Sequence, residues 1–560
     1  ARAVTSRSAE SACEPLSSWS WSPDAAGVDG YREMMLRLGS FARDHPSPAE
    51  RFALPSEVFA RGQAADLCEQ FILSSSVEVP DGWVDRRLGG WQLAHHPTLP
   101  VITVDTPSVG DTDHAPLGWV VGYPITPEGR LLGDGAKLTL QGDPADLADD
   151  LGGRFLMLIT HDEHPAIYPD AVGSYSSVYC PSLRMVASTP ALIPYESSTT
   201  DRYELIDRLG IPWTGGSFPF GMTARHGVER LLPHHHLDLR TWTMVRHGPR
   251  RRYERGELSV EETADRIATI VRRHIDAIMD HIPCYLPLTA GNDSRMLLAC
   301  ARDRRHELAL YTADIADLGG TNDVVTATAI ARRFDLRHQR VRMRRPTAAD
   351  LDRWLLRTGY SVGEPRGLET TASYRTLDRG RARLNGQIGD FARNVYRLPT
   401  DHEGTRLSVD RLALQAASHH DVDYRASIRP GKVRFSLSPE VMGYVERWMR
   451  GVDETDALRI LDLAYVEKVV AAWAGVWVYA EYFGPGFTIF PMSHSEVVAL
   501  IMGLPDDVRR EGDFNRTLIA RQWPELLDVP VNATSRRTML LHKRRAAARR
   551  LRRPMVGPRS

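Results

Sequence analysis

The sequence predicts an α/β protein in two parts: a β-rich N-terminal half, then a doubly wound parallel sheet that runs into a helical C-terminal part. Three observations predict it. Short β-rich runs broken by turn signals fill the stretch from Gly90 to about Tyr253, and the apolar period becomes helical at Ser259. From there strands and helices alternate, the pattern of βαβ units. The 560 residues are 42% apolar and 25% charged, which excludes collagen, coiled coil and wholesale disorder. With 70 Lys+Arg against 71 Asp+Glu the net charge is −1, so no global positive field argues for nucleic acid.

Taken in order, the chain begins with a serine-rich stretch in which seven of the twenty residues from Thr5 to Asp24 are serine. It has no apolar period and reads as a poorly ordered arm. With the helical runs that follow, such as MMLRLGSFA, it makes an N-terminal extension over residues 1–69. The β-rich part, residues 70–255, is carried by WQLAHH, LPVITVDT, LGWVVGYPI, GRFLMLIT, SSVYC and RMVAS, with a turn at Thr126-Pro127-Glu128-Gly129. Residues 256–540 open with a capping-box pattern, Ser259 and Glu262, before Ile267, Ile270, Val271, Ile275, Ile278 and Met279 on one helical face.

Next come the strand Cys284–Thr289, a small-residue turn and a helix from Ser294. The strand Glu307–Thr312 follows, then a helix bearing Val324, Val325, Ala329, Ile330 and Phe334, then a third strand in RHQRVRM. From about Ala348 to Arg553 the chain reads as helical apart from a short strand at Arg383–Leu384, and residues 541–560 form a basic tail. The longest uncharged apolar run, Val469–Ala480, has twelve residues where a membrane span needs about 20, so it reads as a buried helix. No apolar leader segment is present, and the five cysteines are scattered with no C-x-x-C; a cytoplasmic protein without disulfides or a zinc knuckle is expected.

Chemistry concentrates in two turns. In Leu288-Thr289-Ala290-Gly291-Asn292-Asp293-Ser294, small residues at a helix start would let backbone N–H groups approach an anion, and Asp293 could hold Mg²⁺ against the same phosphates. The bland alternative is an ordinary βα turn with an Asp/Ser cap. The second turn, Leu384-Asn385-Gly386-Gln387-Ile388-Gly389-Asp390, also ends glycine–acid. It would bring Asp390 to the same metal–phosphate cluster, or it is a surface loop. Two such acids are expected to repel each other while no metal is bound.

Together these turns resemble the asparagine synthetase family of PP-loop ATP-pyrophosphatase ligases. Thr289–Ser294, TAGNDS, is similar to the family's Ser-Gly-Gly-x-Asp-Ser loop, and Glu364-Pro365 followed by LNGQIGDF to its second Mg²⁺-binding stretch. FTIFPMSHSEVVALIMGLPDDVRR resembles the segment with the family's Pro-Phe-Leu-Asp signature. In the N-terminal half, GRFLMLITHDEHPAIYPDAVGSYSSVYC and GVERLLPHHHLDL resemble its amidotransferase strands and exit loop. The resemblance implies a degenerate Ntn-hydrolase-like α/β sandwich followed by a PP-loop synthetase domain. ATP would contact Leu288, Thr289, Ala290, Gly291, Asn292, Asp293, Ser294, Thr312, Asn385 and Gly386, with Mg²⁺ on Asp293 and Asp390. A small-molecule or peptide carboxylate would be adenylated, pyrophosphate released, and an amine joined to it. Relatives with degenerate amidotransferase halves make β-lactams and peptide macrolactams, so specialised metabolism is the implied setting.

The departures are specific. No Cys-Gly start is visible, so glutamine hydrolysis is not expected. Ala290 replaces a loop glycine; a working loop requires it at negative φ, with its N–H and that of Gly291 turned into the nucleotide pocket. Phe391 stands where an acid is usual. Gln387 occupies the position of a catalytic glutamate, and its neutral amide cannot take a proton from ammonia. Arg516 falls where a lysine usually faces the acyl-adenylate. The alternative function is therefore a catalytically weakened homologue that binds nucleotide or peptide as a scaffold. His161-Asp162-Glu163-His164 lacks the helical H-E-x-x-H spacing and reads as a loop, and His234-His235-His236 as structural. Seven cations between Lys543 and Arg553 read as a solvated helix end.

Overall fold

The computed structural model describes residues 63–551 except 107–115, 161–162, 213–215, 394–395, 398–400, 403–404, 418–429 and 482–485. The serine-rich arm, Cys13, the His161-Asp162 pair and Arg552-Arg553 lie outside the described residues.

Burial explains the N-terminal half. Gly152–Ile159 is buried at every position, so this strand needs cover on both faces. It lies in a seven-stranded sheet, between Ala166–Pro169 and Pro116–Ile125. All pairings there are antiparallel except Val101–Asp105 with Lys137–Thr139. A six-stranded antiparallel sheet faces it, so that Phe71, Leu73 and Leu93 interdigitate with Trp119, Val121, Leu156 and Leu158. The outer face of the seven-stranded sheet, with Val120, Phe155 and Met157, packs on Ala145 and Ala148 of the helix Pro144–Asp150. The six-stranded sheet closes instead on Trp83, Leu192, Ile193 and Val228 and on Leu356 of the helix Ala348–Thr358. Among the described residues this half has two α-helices of seven residues each, Pro144–Asp150 on the outer face of the seven-stranded sheet and Tyr203–Leu209 in the core shared with the second half. That is less than the outer helical layers expected of an α/β sandwich.

The second half is built on a five-stranded parallel sheet, in the order His338–Arg342, Ala309–Asp314, Cys284–Pro287, Ala382–Leu384, Thr488–Ile489. Its first three strands are those read from the sequence, with ends that differ by no more than two residues. Two-residue strands at Thr488–Ile489 and Val362–Gly363 carry too little pattern to be read that way. The helix Val260–His281 leads into the sheet, capped by Ser259, whose Oγ accepts from the Glu262 N–H at 3.1 Å. Asn292–Cys300 and Leu318–Arg333 connect its strands.

The expected border near residue 255 is a change of architecture and not a gap in packing. Tyr123, Ile125, Val172 and Phe218 share one apolar core with Ile267, Leu286, Leu384 and Phe490. The Tyr123 and Phe487 rings stack with centroids 3.7 Å apart, and Gly216–Ser217 pairs with Val362–Gly363.

The run Val469–Ala480 is buried, as expected, within a continuous helical stretch Ala457–Ala480 whose middle, Tyr465–Ala474, has π-helical hydrogen bonding. Glu467 there is fully buried and joins the halves. It accepts from Arg246 Nη1 (2.7 Å), Arg246 Nη2 (2.9 Å) and Trp448 Nε1 (2.6 Å), and lies 3.1 Å from His234 Nδ1. Burial opposes its ionisation, but Arg246 and His234 outweigh burial and hold the carboxyl well below the usual range. His234 is thus a structural partner. No helix among the described residues is long and apolar enough to cross a membrane.

Truncating Glu467 to Ala should cost about 3–5 kcal/mol by leaving Arg246 unpaired, whereas the double change Glu467→Met with Arg246→Met should cost less than Glu467→Ala. Urea denaturation reads both. A second expectation concerns pH. His274 and His494 are buried 5.5 Å apart, and burial first, for His494 also the neighbouring His274 and arginines, lowers them to about 4 and about 3. Unfolded, both titrate near 6.5. Their stabilisation is therefore complete above pH 6.5 and is lost as pH falls towards 4, by about 1.4 kcal/mol per pH unit for each proton taken up only on unfolding. His494→Asn, which keeps an N-cap acceptor for the Glu496 N–H, should flatten the fall in melting temperature between pH 7 and pH 5.

Candidate functional site

The loops after parallel strands all leave from one edge of a sheet, and both chemically suggestive turns lie on that edge. The strand Cys284–Pro287 passes through the buried Leu288 into the loop, and Gly291 (φ −78, ψ 176) caps the helix Asn292–Cys300. Ala290 stays out of positive φ, as a working loop requires. Its amide is not turned to open space. It donates to Asp323 Oδ1 at 2.8 Å, the Gly291 N–H to Thr289 Oγ1 at 3.2 Å, and the Thr289 N–H to Ser294 Oγ at 3.1 Å. The Ala290 carbonyl accepts from the Asn532 N–H at 2.9 Å and from Arg295 Nη2 at 3.2 Å. The loop is therefore closed on its own protein. Burial pushes the Asp323 carboxyl up to about 6; Asp317 adds to the rise, and the Ala290 amide and Arg366 oppose it.

Thr312 is 2% exposed, donates its hydroxyl to the Leu288 carbonyl at 2.6 Å and lies 2.8 Å from His338 Nε2. The side chains of Leu288 and Thr312 are buried in the protein, which leaves only their backbone for a ligand.

The second turn is wound by its own polar groups. Asn385 Oδ1 accepts from the Gln387 N–H at 2.9 Å, and the Gly389 N–H donates to the Gly386 carbonyl at 2.9 Å. It then presses on the first. A Cβ on Gly386 would lie 3.0 Å from the Asp293 carbonyl oxygen, and one on Gly389 2.9 Å from Asp293 Oδ1. A side chain at either place would force the two turns apart or make their neighbours shift.

Asp293 and Asp390 are brought together across Arg393, whose Nη2 contacts Asp390 and lies 3.3 Å from Asp293 Oδ2. The expected repulsion between the acids is replaced by a shared ion pair. Burial raises the Asp293 carboxyl, and Arg393 opposes that rise. Asn515 Nδ2 donates to Asp293 Oδ1 at 3.4 Å and to the Gly389 carbonyl at 3.3 Å. The helix Asp513–Gln522 thus offers the site Asn515, and its neighbour Arg516 is exposed. Gln387 is half-buried at the turn. Phe391 is buried against Tyr465, with ring centroids 5.9 Å apart, and belongs to the core.

Among the described residues no three His, Cys, Asp or Glu side chains are grouped to hold a metal. Two carboxylates nevertheless fit Mg²⁺, which takes one or two of them and fills its shell with water and phosphate oxygens. The guanidinium already between them shows that the place suits a cation.

Sequence reasoning missed Asp323, Arg393 and Asn515. Arg393 had a signal, an i,i+3 spacing from Asp390; Asp323 and Asn515 had none, since only tertiary packing brings them to the turns. A cysteine nearer the first strand than Cys13 is Cys68, just before Phe71–Ser74. Burial pushes its thiol up to about 11, and Sγ donates to the Ala65 carbonyl at 3.8 Å, so it is an inert neutral thiol. The chain matches no protein-family model, and no curated protein is significantly similar to it.

Asp323→Asn keeps an acceptor for the Ala290 amide while removing a charge beside the loop. Calorimetric titration with pyrophosphate should show tighter binding to this variant above pH 6. The gap from wild type should narrow as pH falls through 6 and the native carboxyl gains its proton.

Proposed function

We propose that the protein is an ATP-dependent carboxylate–amine ligase of asparagine-synthetase type, using ATP and Mg²⁺. One observation carries the reading: two glycine–acid turns on the same edge of a parallel sheet converge until Asp293 and Asp390 share one cation position. Bound there, Mg²⁺ would neutralise charge on the phosphates while a substrate carboxylate is adenylated and pyrophosphate leaves. Asp293 and Asp390 hold the ion. The helix Asn292–Cys300 points its N-terminus, with its partial positive charge, at the same place. Gly386 and Gly389 keep the turns close enough for both acids to reach. Gln387 cannot act as a base, so the attacking amine must arrive neutral or lose its proton to another group. On this reading its source is the substrate itself, a second substrate or free ammonia. Formation of an amide or macrolactam in specialised metabolism fits these constraints.

A second reading rests on a specific contact. With the Ala290 amide held by Asp323, the loop is closed against an anion until that bond opens. A protein locked in this state would be a scaffold that adenylates nothing.

Exchange of labelled pyrophosphate into ATP, run across amino-acid and peptide carboxylates, separates the two: the ligase exchanges with its true carboxylate and the scaffold with none. Asp293→Asn and Asp390→Asn should each lower that exchange by about 100-fold or more, on the scale of losing a main electrostatic stabiliser. If only one does, the two acids do not act on one ion. Glutamine should release no glutamate beyond the background of a Cys68→Ala variant.

A further inference from the structure

Arg393 stands where a metal cation would be held. Its Nη2 contacts both acids, so the chain supplies its own positive charge to the pair. The polar atoms around it have no hydrogen-bond partner in this arrangement: Nε of Arg393 itself, Oδ1 of the buried Asn515, and the hydroxyls of Tyr465 and Tyr396, each residue 2% exposed. The Tyr465 hydroxyl is close enough to feel the charges of both Arg393 and Asp293, and the Tyr465 and Tyr396 rings meet edge to face at 5.5 Å. Buried hydroxyls are rarely left without partners. Here the Tyr465 hydroxyl lies within reach of the charge of a guanidinium that has an unused donor. A guanidinium keeps its proton at any pH the fold survives, so it can only move or be outcompeted.

We propose that Arg393 is a displaceable counter-cation: it holds Asp293 and Asp390 together in the metal-free protein and yields that place to a divalent ion, passing to the hydroxyl of Tyr465. This rests on the reading of the two acids as metal ligands. Two arrangements of one side chain then exist, each satisfying a different set of acceptors. Displacing a paired arginine weakens the binding of metal alone. The ion is therefore taken up together with nucleotide phosphates, which supply the ligands and negative charge that the acids cannot, and the resting protein does not load metal by itself.

The test uses the full chain without nucleotide and Mn²⁺ as probe, with binding read by electron paramagnetic resonance of the free ion. Wild type should bind weakly, and Arg393→Met at least ten-fold more tightly. Tyr465→Phe, which removes an acceptor for the departed guanidinium, should weaken binding several-fold. Arg393→Met should also melt lower than wild type without metal, and Mn²⁺ should raise its melting temperature by more than it raises that of wild type. If Arg393→Met leaves Mn²⁺ affinity unchanged or lower while Asp293→Asn abolishes it, the arginine does not compete and the proposal falls, the metal reading standing. If Mn²⁺ binding in the Arg393→Met background survives both Asp293→Asn and Asp390→Asn, the metal reading itself is wrong and the proposal goes with it. Should Arg393→Met fail to fold, Arg393→Lys, shorter and less able to span both acids, must still bind Mn²⁺ more tightly than wild type, and equal affinity overturns the idea.

Discussion

The site depends on how closely the turn after Ala382–Leu384 lies against the helix Asn292–Cys300. A methyl group on Gly389 would meet Asp293 Oδ1 at 2.9 Å, and one on Gly386 the Asp293 carbonyl at 3.0 Å. That contact lets one guanidinium span two acids, and it lets Asn515 touch Asp293 and the Gly389 carbonyl at once. Everything behind the turn supports it. Ile388 and Phe391 anchor the turn in the core, and Arg509 lies over the Phe391 ring while donating to Asp462 and to the Phe391 carbonyl.

Buried ion pairs recur through the molecule, and most serve position more than chemistry. Glu467 ties Arg246 and Trp448 together across the two halves. Glu69, 1% exposed, pairs with the fully buried Arg154 at 2.8 Å and accepts from the Tyr123 hydroxyl at 2.6 Å. Such pairs recover little net stability over apolar packing but tolerate few alternative arrangements, since either partner alone is a desolvated charge. The Glu69 pair lies immediately beside Cys68. The space beside that thiol is filled by the ion pair and by the Tyr175 hydroxyl, which donates to the Glu69 carbonyl at 2.6 Å. The N-terminal sheets act as a packed wall for the second half, with Tyr479 reaching across to the Ser176 carbonyl at 2.6 Å.

Against that rigid frame, the loop Leu288–Ser294 has internal alternatives. The amides of Thr289, Ala290 and Gly291 are held by the side chains of Ser294, Asp323 and Thr289, whereas the Leu288 amide is held by the Tyr311 carbonyl of the neighbouring strand. Side-chain acceptors on amides exchange for another anion without unfolding a strand or helix, and the charge on Asp323 sets how readily. The two groups that close the turns, Asp323 over the loop and Arg393 between the acids, have opposite charge.

The sequence by itself determined the mixed α/β class, the strand–turn–helix at Cys284–Cys300, the capped helix at Ser259 and the buried helix around Trp473, because periodicity, caps and small-residue turns are local signals. It also placed both acids on turns, since glycine before an acid after a strand is readable in one dimension. Only the tertiary structure decided that the two halves share a core, that Asn515 reaches Asp293 and the second turn, that Asp323 holds the Ala290 amide, and that Arg393 lies between the two acids. Those outcomes depend on distances between segments far apart in the chain, 222 residues for Asp293 and Asn515 and 303 for Ser176 and Tyr479. Along a helix, one residue of rotation, about 100°, separates a side chain at the site from one in water.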